Sequence, residues 1–293
     1  MLPQSLQSVL PSFLFKHFQP QTAILNTRPV GGGDINTAVC IETSQGRLFL
    51  KYNDASRFPG MFEAEARGLG LLRATQSVGI PGVIGTGSDG VFDFLVMEYV
   101  EPGPRSHLVL ERFGKCLAEM HRMSSGYFGL DHSNYMGSLP QINTPASKWT
   151  DFFRDCRLRA MLKPAYDRGF FEREILKAFE NLYNRLEDMI PPEPPSLLHG
   201  DLWAGNFMAS WNEEPFLIDP AVCFGHREAD LAMTRLFGGF GEAFYASYQD
   251  SFPLEKGWES RMDVFNLYPL LVHVNLFGSG YVGSVKQIIQ RFR

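Results

Sequence analysis

The 293-residue sequence has few cysteines and no pair of them at C-x-x-C spacing. The four, Cys40, Cys116, Cys156 and Cys223, are scattered along the chain. That excludes a zinc ribbon and a dense disulfide framework, and it suits reduced thiols in the cytoplasm. Basic residues are also in deficit: 27 Lys and Arg stand against 32 Asp and Glu, a net charge of -5. A nucleic-acid binder would normally show a basic stripe, so no nucleic-acid partner is expected. Long apolar runs are missing too. The best one, residues 267–277, is short and carries His273 and Asn275, so it reads as a core helix rather than a membrane span. Residues 1–18 lack a basic leader and are broken by Pro11, so no export signal is expected. Internal repeats are absent, and the only biased segment is the proline run at 191–195.

What is present describes an ordinary soluble globular protein, with 44% hydrophobic and 20% charged residues. The chain is long enough for one large domain or two lobes around a full core. Its most informative stretch is residues 196–220. His199-Gly200-Asp201 opens a loop, Asn206 follows Asp201 by five positions, and two short apolar runs at 207–209 and 216–218 flank a turn-forming segment at 212–215. Asp219 ends the second run. The pattern is a loop, a hairpin and a second loop, with the hairpin fixing Asp219 relative to Asp201 and Asn206.

Phosphoryl transfer needs such a set. One carboxylate accepts the proton of the attacking hydroxyl, while an amide oxygen and a second carboxylate hold a metal on the nucleotide phosphates. Each piece alone is ordinary turn chemistry. In this order they match the catalytic and metal loops of protein kinases. His199, beside Asp201, is expected to be a structural hydrogen-bonding residue rather than a base. Asp230, in a helix expected within residues 225–240, is placed to accept backbone donors of the catalytic loop.

Upstream, residues 2–18 have a helical apolar period. A glycine-rich tip, Gly31-Gly32-Gly33, precedes strands at 38–42 and 47–52, with a turn at 44–46. A hairpin tip followed by a strand lysine, Lys51, is how a kinase N-lobe covers phosphates, although the tip is not G-x-G-x-x-G. The helix expected at 62–72 offers Glu63 and Glu65 as partners for Lys51, with Glu65 preferred. Residues 92–100 read as a buried strand running into a Pro/Gly hinge, with backbone groups of Glu98, Tyr99 and Val100 available for adenine and Met97 either a cofactor contact or plain core packing. Residues 127–139 are expected to be a substrate loop, and 148–162 and 171–190 amphipathic helices.

These segments resemble the fructosamine kinase (ketosamine-3-kinase) family, a branch near the aminoglycoside and choline kinases. The resemblance rests on GGGDIN at 31–36, MFEAEARGL at 61–69, FGLDHSNYMGSLPQ at 128–141, LLHGDLWAGN at 197–206, IDPAVCFGHREADLAMTRLFGGF at 218–240 and HVNLFGSGY at 273–281. It implies an α+β, two-lobed protein-kinase-like fold, with a β-rich N-lobe over residues 1–100 and a helical C-lobe over 101–293. It further implies ATP and Mg2+, with Lys51, held by Glu65, on the phosphates, and Asn206 and Asp219 on the metal. Asp201 would deprotonate the 3-hydroxyl of a ketoamine sugar, either a small molecule or a glycated lysine on a protein, by a monomer or weak homodimer. Trp203 would stack on the sugar-amine or else plug the core behind the loop, and His132 and Asn134 are candidate substrate contacts. Some relatives carry a cysteine in the glycine-rich loop, where this chain has Asp34, so redox control there is not expected. The competing readings are an aminoglycoside- or choline-type kinase and a nucleotide-binding pseudokinase scaffold.

Overall fold

The computed structural model describes residues 2–18, 22–31 and 35–293. Gly32, Gly33 and Asp34 therefore lie outside the described residues. The chain opens with α1 (Gln4–His17), whose Leu6, Leu10, Phe13 and Leu14 recur at helical spacing and are buried. They cover one face of an antiparallel sheet built from β1 (Ile24–Val30), β2 (Thr37–Thr43), β3 (Gly46–Asp54), β4 (Val83–Ser88) and β5 (Phe92–Glu98) in the order β1-β2-β3-β5-β4. Val39, Ile41, Leu48, Leu50, Phe94 and Val96 meet α1 in this small core. On the opposite face, α2 (Met61–Ala74) packs Phe62, Leu69 and Leu72 with Leu95 and Met97. These join the larger C-terminal core, so the two lobes share apolar packing across the chain's passage out of β5.

Past the hinge, α3 (His107–His121) starts at Ser106, whose Oγ accepts from the Val109 amide. The expected loop at 127–139 instead contains a short hairpin, β6 (Asn134–Met136) and β7 (Leu139–Gln141). The expected helix at 148–162 is a longer composite of α4 (Trp149–Phe152), a π-helical stretch (Phe153–Arg159) and α5 (Ala160–Asp167). The wide turn turns Arg157 inward, where Nη1 donates to Ile142 O at 2.5 Å and Nη2 to Asn143 Oδ1 at 2.7 Å. The expected helix at 171–190 is broken into α6 (Arg173–Tyr183) and α7 (Leu186–Met189).

The site-bearing segment comprises β8 (Ser196–Leu198), β9 (Phe207–Ala209), β10 (Pro215–Leu217) and β11 (Cys223–Gly225). β9 pairs with β10, and β8 with β11, both antiparallel. The chain ends in α8 (Glu228–Leu236), α9 (Glu242–Ser251), α10 (Trp258–Phe277) and α11 (Val282–Ile289). α10 is buried nearly all round, and Asn275 is accommodated there because its Nδ2 donates to Met161 O at 2.8 Å. Among the described residues no helix is long and apolar enough to cross a membrane.

α8 is tied to α10 by a buried ion pair. Arg261 Nε lies 2.7 Å from Glu228 Oε2, and Nη2 lies 2.5 Å from Oε1. Glu228 is fully buried, so removing its partner strands a charge. Arg261→Met should lower unfolding stability by about 3–5 kcal/mol, and pairing it with Glu228→Leu should recover much of that loss. Urea titration of the three variants checks this. A single variant within about 1 kcal/mol of wild type would show that the pair is dispensable.

Candidate active site

Lys51 projects from β3 and is only 6% exposed. Its Nζ lies 2.8 Å from Glu65 Oε1 on α2 and also donates to Asp219 Oδ1 from the C-lobe. Glu63, about 200° round the helix from Glu65, is exposed. Of the two candidates, the helix thus turns Glu65 toward Lys51. Burial disfavours the ammonium, but the Asp219 and Glu65 carboxylates more than offset it and hold the Lys51 pKa above its ordinary value. Burial pushes the Glu65 carboxyl up, with Lys51 opposing and Asp219 adding to the rise.

The catalytic loop follows β8, and its shape is set by one carboxylate. Asp230 Oδ2 accepts from the His199 amide at 2.7 Å and Oδ1 from the Gly200 amide at 2.9 Å. Gly200 sits at φ 83°, and any Cβ there would collide with the Ala221 carbonyl, so the sharp turn requires glycine. The His199 ring joins the two loops. Its Nε2 donates to Ile218 O at 2.8 Å, and its Nδ1 accepts from the Asp201 amide at 3.3 Å. Burial lowers the His199 pKa, which matches a neutral ring bridging backbone groups rather than moving protons. Behind Asp230, His121 Nε2 lies 3.2 Å from Oδ2, and His121 Nδ1 reaches the Tyr248 hydroxyl at 2.8 Å.

Asp201 faces the cleft. Loss of solvation is the main reason that its pKa is raised to about 7, with the charges of Asp219 and Asp230 adding and the Asn206 hydrogen bond opposing. Asn206 Nδ2 donates to both Asp201 Oδ2 and Asp201 O at 2.8 Å. That leaves its Oδ1 as an acceptor beside Asp219. Asp219 itself adopts φ 55°, an uncommon backbone for a non-glycine residue. An amide oxygen and a carboxylate form a hard-oxygen donor set that fits magnesium. Among the described residues no group of three or more His, Cys, Asp or Glu could cage a metal.

These groups line a cleft of about 900 Å³ between the lobes. Gly31 lies at its upper edge, and Met97, Glu98, Tyr99 and Val100 line it where β5 enters the hinge. The Glu98 carboxylate is engaged elsewhere, accepting from the Gly82 amide at 2.7 Å. Trp203 lines the cleft and is 37% exposed, so it is not a core plug. The two candidate substrate contacts are placed differently. His132 does not line the cleft; its Nδ1 is bonded to Asp131 Oδ1 at 2.6 Å, because the hairpin presents Tyr135 to Gly137 there instead. Asn134 reaches the cleft wall, but its side chain is used within the fold. Nδ2 donates to Val222 O at 2.9 Å, and Oδ1 accepts from Gln141 and Asn143 at 2.8 and 2.9 Å. Missed by sequence reasoning were Phe237, His273, Phe277 and Tyr281, which also line the cleft. The available signals were the helical spacing of His273 and Phe277, which reads equally well as core, and the family-like segments at 218–240 and 273–281, which by themselves assign these rings no role.

The comparisons agree with this geometry. The family model described as fructosamine kinase matches residues 7–293. A protein of Enterococcus faecium provisionally named a ketoamine kinase is 37% identical over 90% of this chain and 94% of its own. The chloroplastic protein-ribulosamine 3-kinase of Arabidopsis thaliana is 39% identical over 92% of this chain and 83% of its own. A crystal structure from Thermobifida fusca, provisionally named a fructosamine-3-kinase, superposes with a TM-score of 0.85 at 35% identity, covering 92% of this chain and 93% of that one. An aminoglycoside phosphotransferase bound to AMP-PNP and hygromycin B shares the fold, with a TM-score of 0.65 at 16% identity, covering 96% and 98% of the two chains. The chain therefore belongs to the fructosamine kinase family, and with it to the phosphotransferases that take an alcohol group as acceptor.

Proposed function

We propose that the protein transfers the γ-phosphoryl group of Mg-ATP to the sugar 3-hydroxyl of a ketoamine: a ribulosamine, erythrulosamine or fructosamine, free or on a glycated lysine. The single observation supporting this most is that Lys51 of β3, Glu65 of α2, and Asp201, Asn206 and Asp219 of the loops flanking the β9–β10 hairpin converge on one cleft. We further propose a cytoplasmic repair role, since a 3-phosphorylated ketoamine is unstable and releases its amine.

In this reading adenine lies against residues 97–100, under the Gly31 edge, and the Lys51 ammonium meets the phosphates. Asn206 and Asp219 would hold magnesium, which when bound neutralises charge on the phosphates. Asp201 orients the acceptor hydroxyl and takes its proton. Asp230 and His199 act at one remove, by fixing where Asp201 and Asp219 stand. Catalysis then consists mainly of positioning and charge neutralisation. The Trp203 face beside Asp201 suits the cationic amine of the acceptor, an attraction of about 0.5–2 kcal/mol.

Asp201→Asn should lower kcat by well over about ten-fold, the equivalent of roughly 1.4 kcal/mol of barrier, while Mg-ATP still binds. Because the base must be ionised, wild-type kcat/KM should climb as pH passes through about 7. Stability should run the other way. The folded pKa lies above the ordinary 3.8, so the contribution of the protonated carboxyl is complete at low pH and lost as pH rises through about 7. The Asn variant should therefore melt higher than wild type at pH 8 and not at pH 4. A pH-independent rate, or an Asn variant with more than a tenth of the activity, removes Asp201 from the proton-acceptor role.

Asp219→Ala should weaken Mg-ATP binding and raise the magnesium needed for turnover, both measurable by calorimetric titration of the purified variant. Unchanged affinity and unchanged magnesium dependence would reduce Asp219 to a turn residue.

For the acceptor, ribulose-lysine or fructose-lysine should show far higher kcat/KM than free ribulose or fructose, and Trp203→Ala should narrow the gap. The decisive assay couples ATP turnover to ketoamines, free ketoses, an aminoglycoside and choline side by side. Equal rates with free ketoses, or preference for the aminoglycoside or choline, would defeat the ketoamine assignment. No turnover with any acceptor would favour a nucleotide-binding scaffold.

A further inference from the structure

Beyond Asp201 the cleft continues along aromatic rings that the phosphoryl-transfer chemistry does not use. Trp203 stands 6.1 Å from Phe237, centroid to centroid, and Phe237 stands 5.0 Å from His273. His273 in turn lies 5.4 Å from Phe277 and 4.8 Å from Tyr281. All five rings line the cleft, and they come from the catalytic loop, the turn after α8, the last turns of α10 and the segment before α11. Phe237 and Phe277 remain 42% and 54% exposed. Single exposed rings are ordinary, but a contiguous set continuous with a reaction cleft marks a ligand surface.

The charge around these rings narrows the ligand. Among the described residues Lys51 is the only Lys or Arg lining the cleft, and it is committed to Glu65 and Asp219. No other Lys or Arg among the described residues lines the cleft to pair an anionic group beyond Asp201. Ring faces repel anions and attract cations. His273 Nδ1 donates to Pro269 O at 2.7 Å, which leaves Nε2 as the acceptor nitrogen of the ring. Burial holds its pKa below the ordinary value, so the ring adds no positive charge of its own.

We propose that Phe237, His273, Phe277 and Tyr281, continuing from Trp203, form a subsite for the amine-side substituent of the acceptor. It takes an uncharged aliphatic or aromatic group attached to a protonated secondary amine, and it disfavours a carboxylate beside that amine. The proposal rests on the ketoamine reading above. It adds that this enzyme selects on what the sugar is attached to, as well as on the sugar.

The test holds the sugar constant and varies only the amine. Wild-type enzyme should phosphorylate N-benzyl and N-hexyl ribulosamines with kcat/KM about ten-fold or more above N-methyl ribulosamine, from apolar burial on the rings, and above the glycine adduct by a similar factor. Phe277→Ala, a truncation at a half-exposed position, should collapse the benzyl-to-methyl ratio toward one, chiefly through KM. His273→Phe keeps a ring but removes the acceptor nitrogen, and it should raise KM for every ketoamine while preserving the benzyl-to-methyl ratio. Equal kcat/KM across the amines, or a ratio unmoved by Phe277→Ala, overturns the subsite while leaving ketoamine phosphorylation intact. Absence of turnover with every ribulosamine overturns the ketoamine reading and the subsite with it. Circular dichroism and melting of both variants separate loss of contact from loss of fold.

Discussion

The arrangement depends first on the Lys51 ammonium, held between Glu65 of the N-lobe and Asp219 of the C-lobe. A lysine so deeply buried would ordinarily lose its charge. Here two carboxylates from different lobes keep it charged, and the contact thereby sets how the sheet sits over the C-lobe. Apolar packing alone would not fix that relation so closely. α2 contributes Phe62, Leu69 and Leu72 to the C-lobe core, but such contacts tolerate small slides that a three-group ion cluster does not.

The second constraint is the carboxylate of Asp230, which plays the same part within the C-lobe. Through two backbone amides it fixes the turn carrying Asp201, and through His121 and Tyr248 it is anchored to α3 and α9. His199 then transmits that geometry to the loop carrying Asp219 by bridging Ile218 and Ala221. Most polar groups around the reaction centre thus act on backbone rather than on ligand. This is the expected form of a site whose chemistry consists of placing groups correctly. The α8 to α10 ion pair supports the helix that carries Asp230, so a link remote from the cleft stands behind the catalytic turn.

The clustering of Asp201, Asn206 and Asp219 was legible because its elements are local in sequence. Asp201, Asn206 and Asp219 flank a single hairpin, and the turn composition at 212–215 marks that hairpin without reference to the rest of the chain. Lys51 was legible as a strand residue. The choice of Glu65 over Glu63 needed the helix's rotation, which periodicity favours and only packing settles. What escaped was non-local. The Asn134 amide looks available in a polar loop, yet it is consumed by Val222, Gln141 and Asn143, partners brought in by the β6–β7 hairpin and β11. The π-helical stretch escaped because the partners of its buried Arg157 guanidinium, a carbonyl and an amide oxygen, lie 15 and 14 residues earlier, outside any local pattern. The break between α6 and α7 carries no proline or glycine to announce it.

Asp201 and Asp219 also show where the fold gives up stability. One carboxylate is kept partly desolvated, so that ionising it is unfavourable, and the other is held at a positive φ that most residues avoid. Neither feature improves packing. A carboxylate with its pKa near 7 is a better proton acceptor at neutral pH than a solvated one near 4, because acceptor strength follows basicity. The Asp219 side chain is turned toward Lys51, while its backbone carbonyl accepts from Asn206 Nδ2 at 3.4 Å. The polar floor and the aromatic wall therefore impose opposite demands on one cleft. The floor must exclude water to keep Asp201 basic, whereas the wall leaves rings exposed at the mouth. A ligand spanning both would reconcile them, since its apolar substituent would cover the rings while its sugar displaced water from the carboxylate.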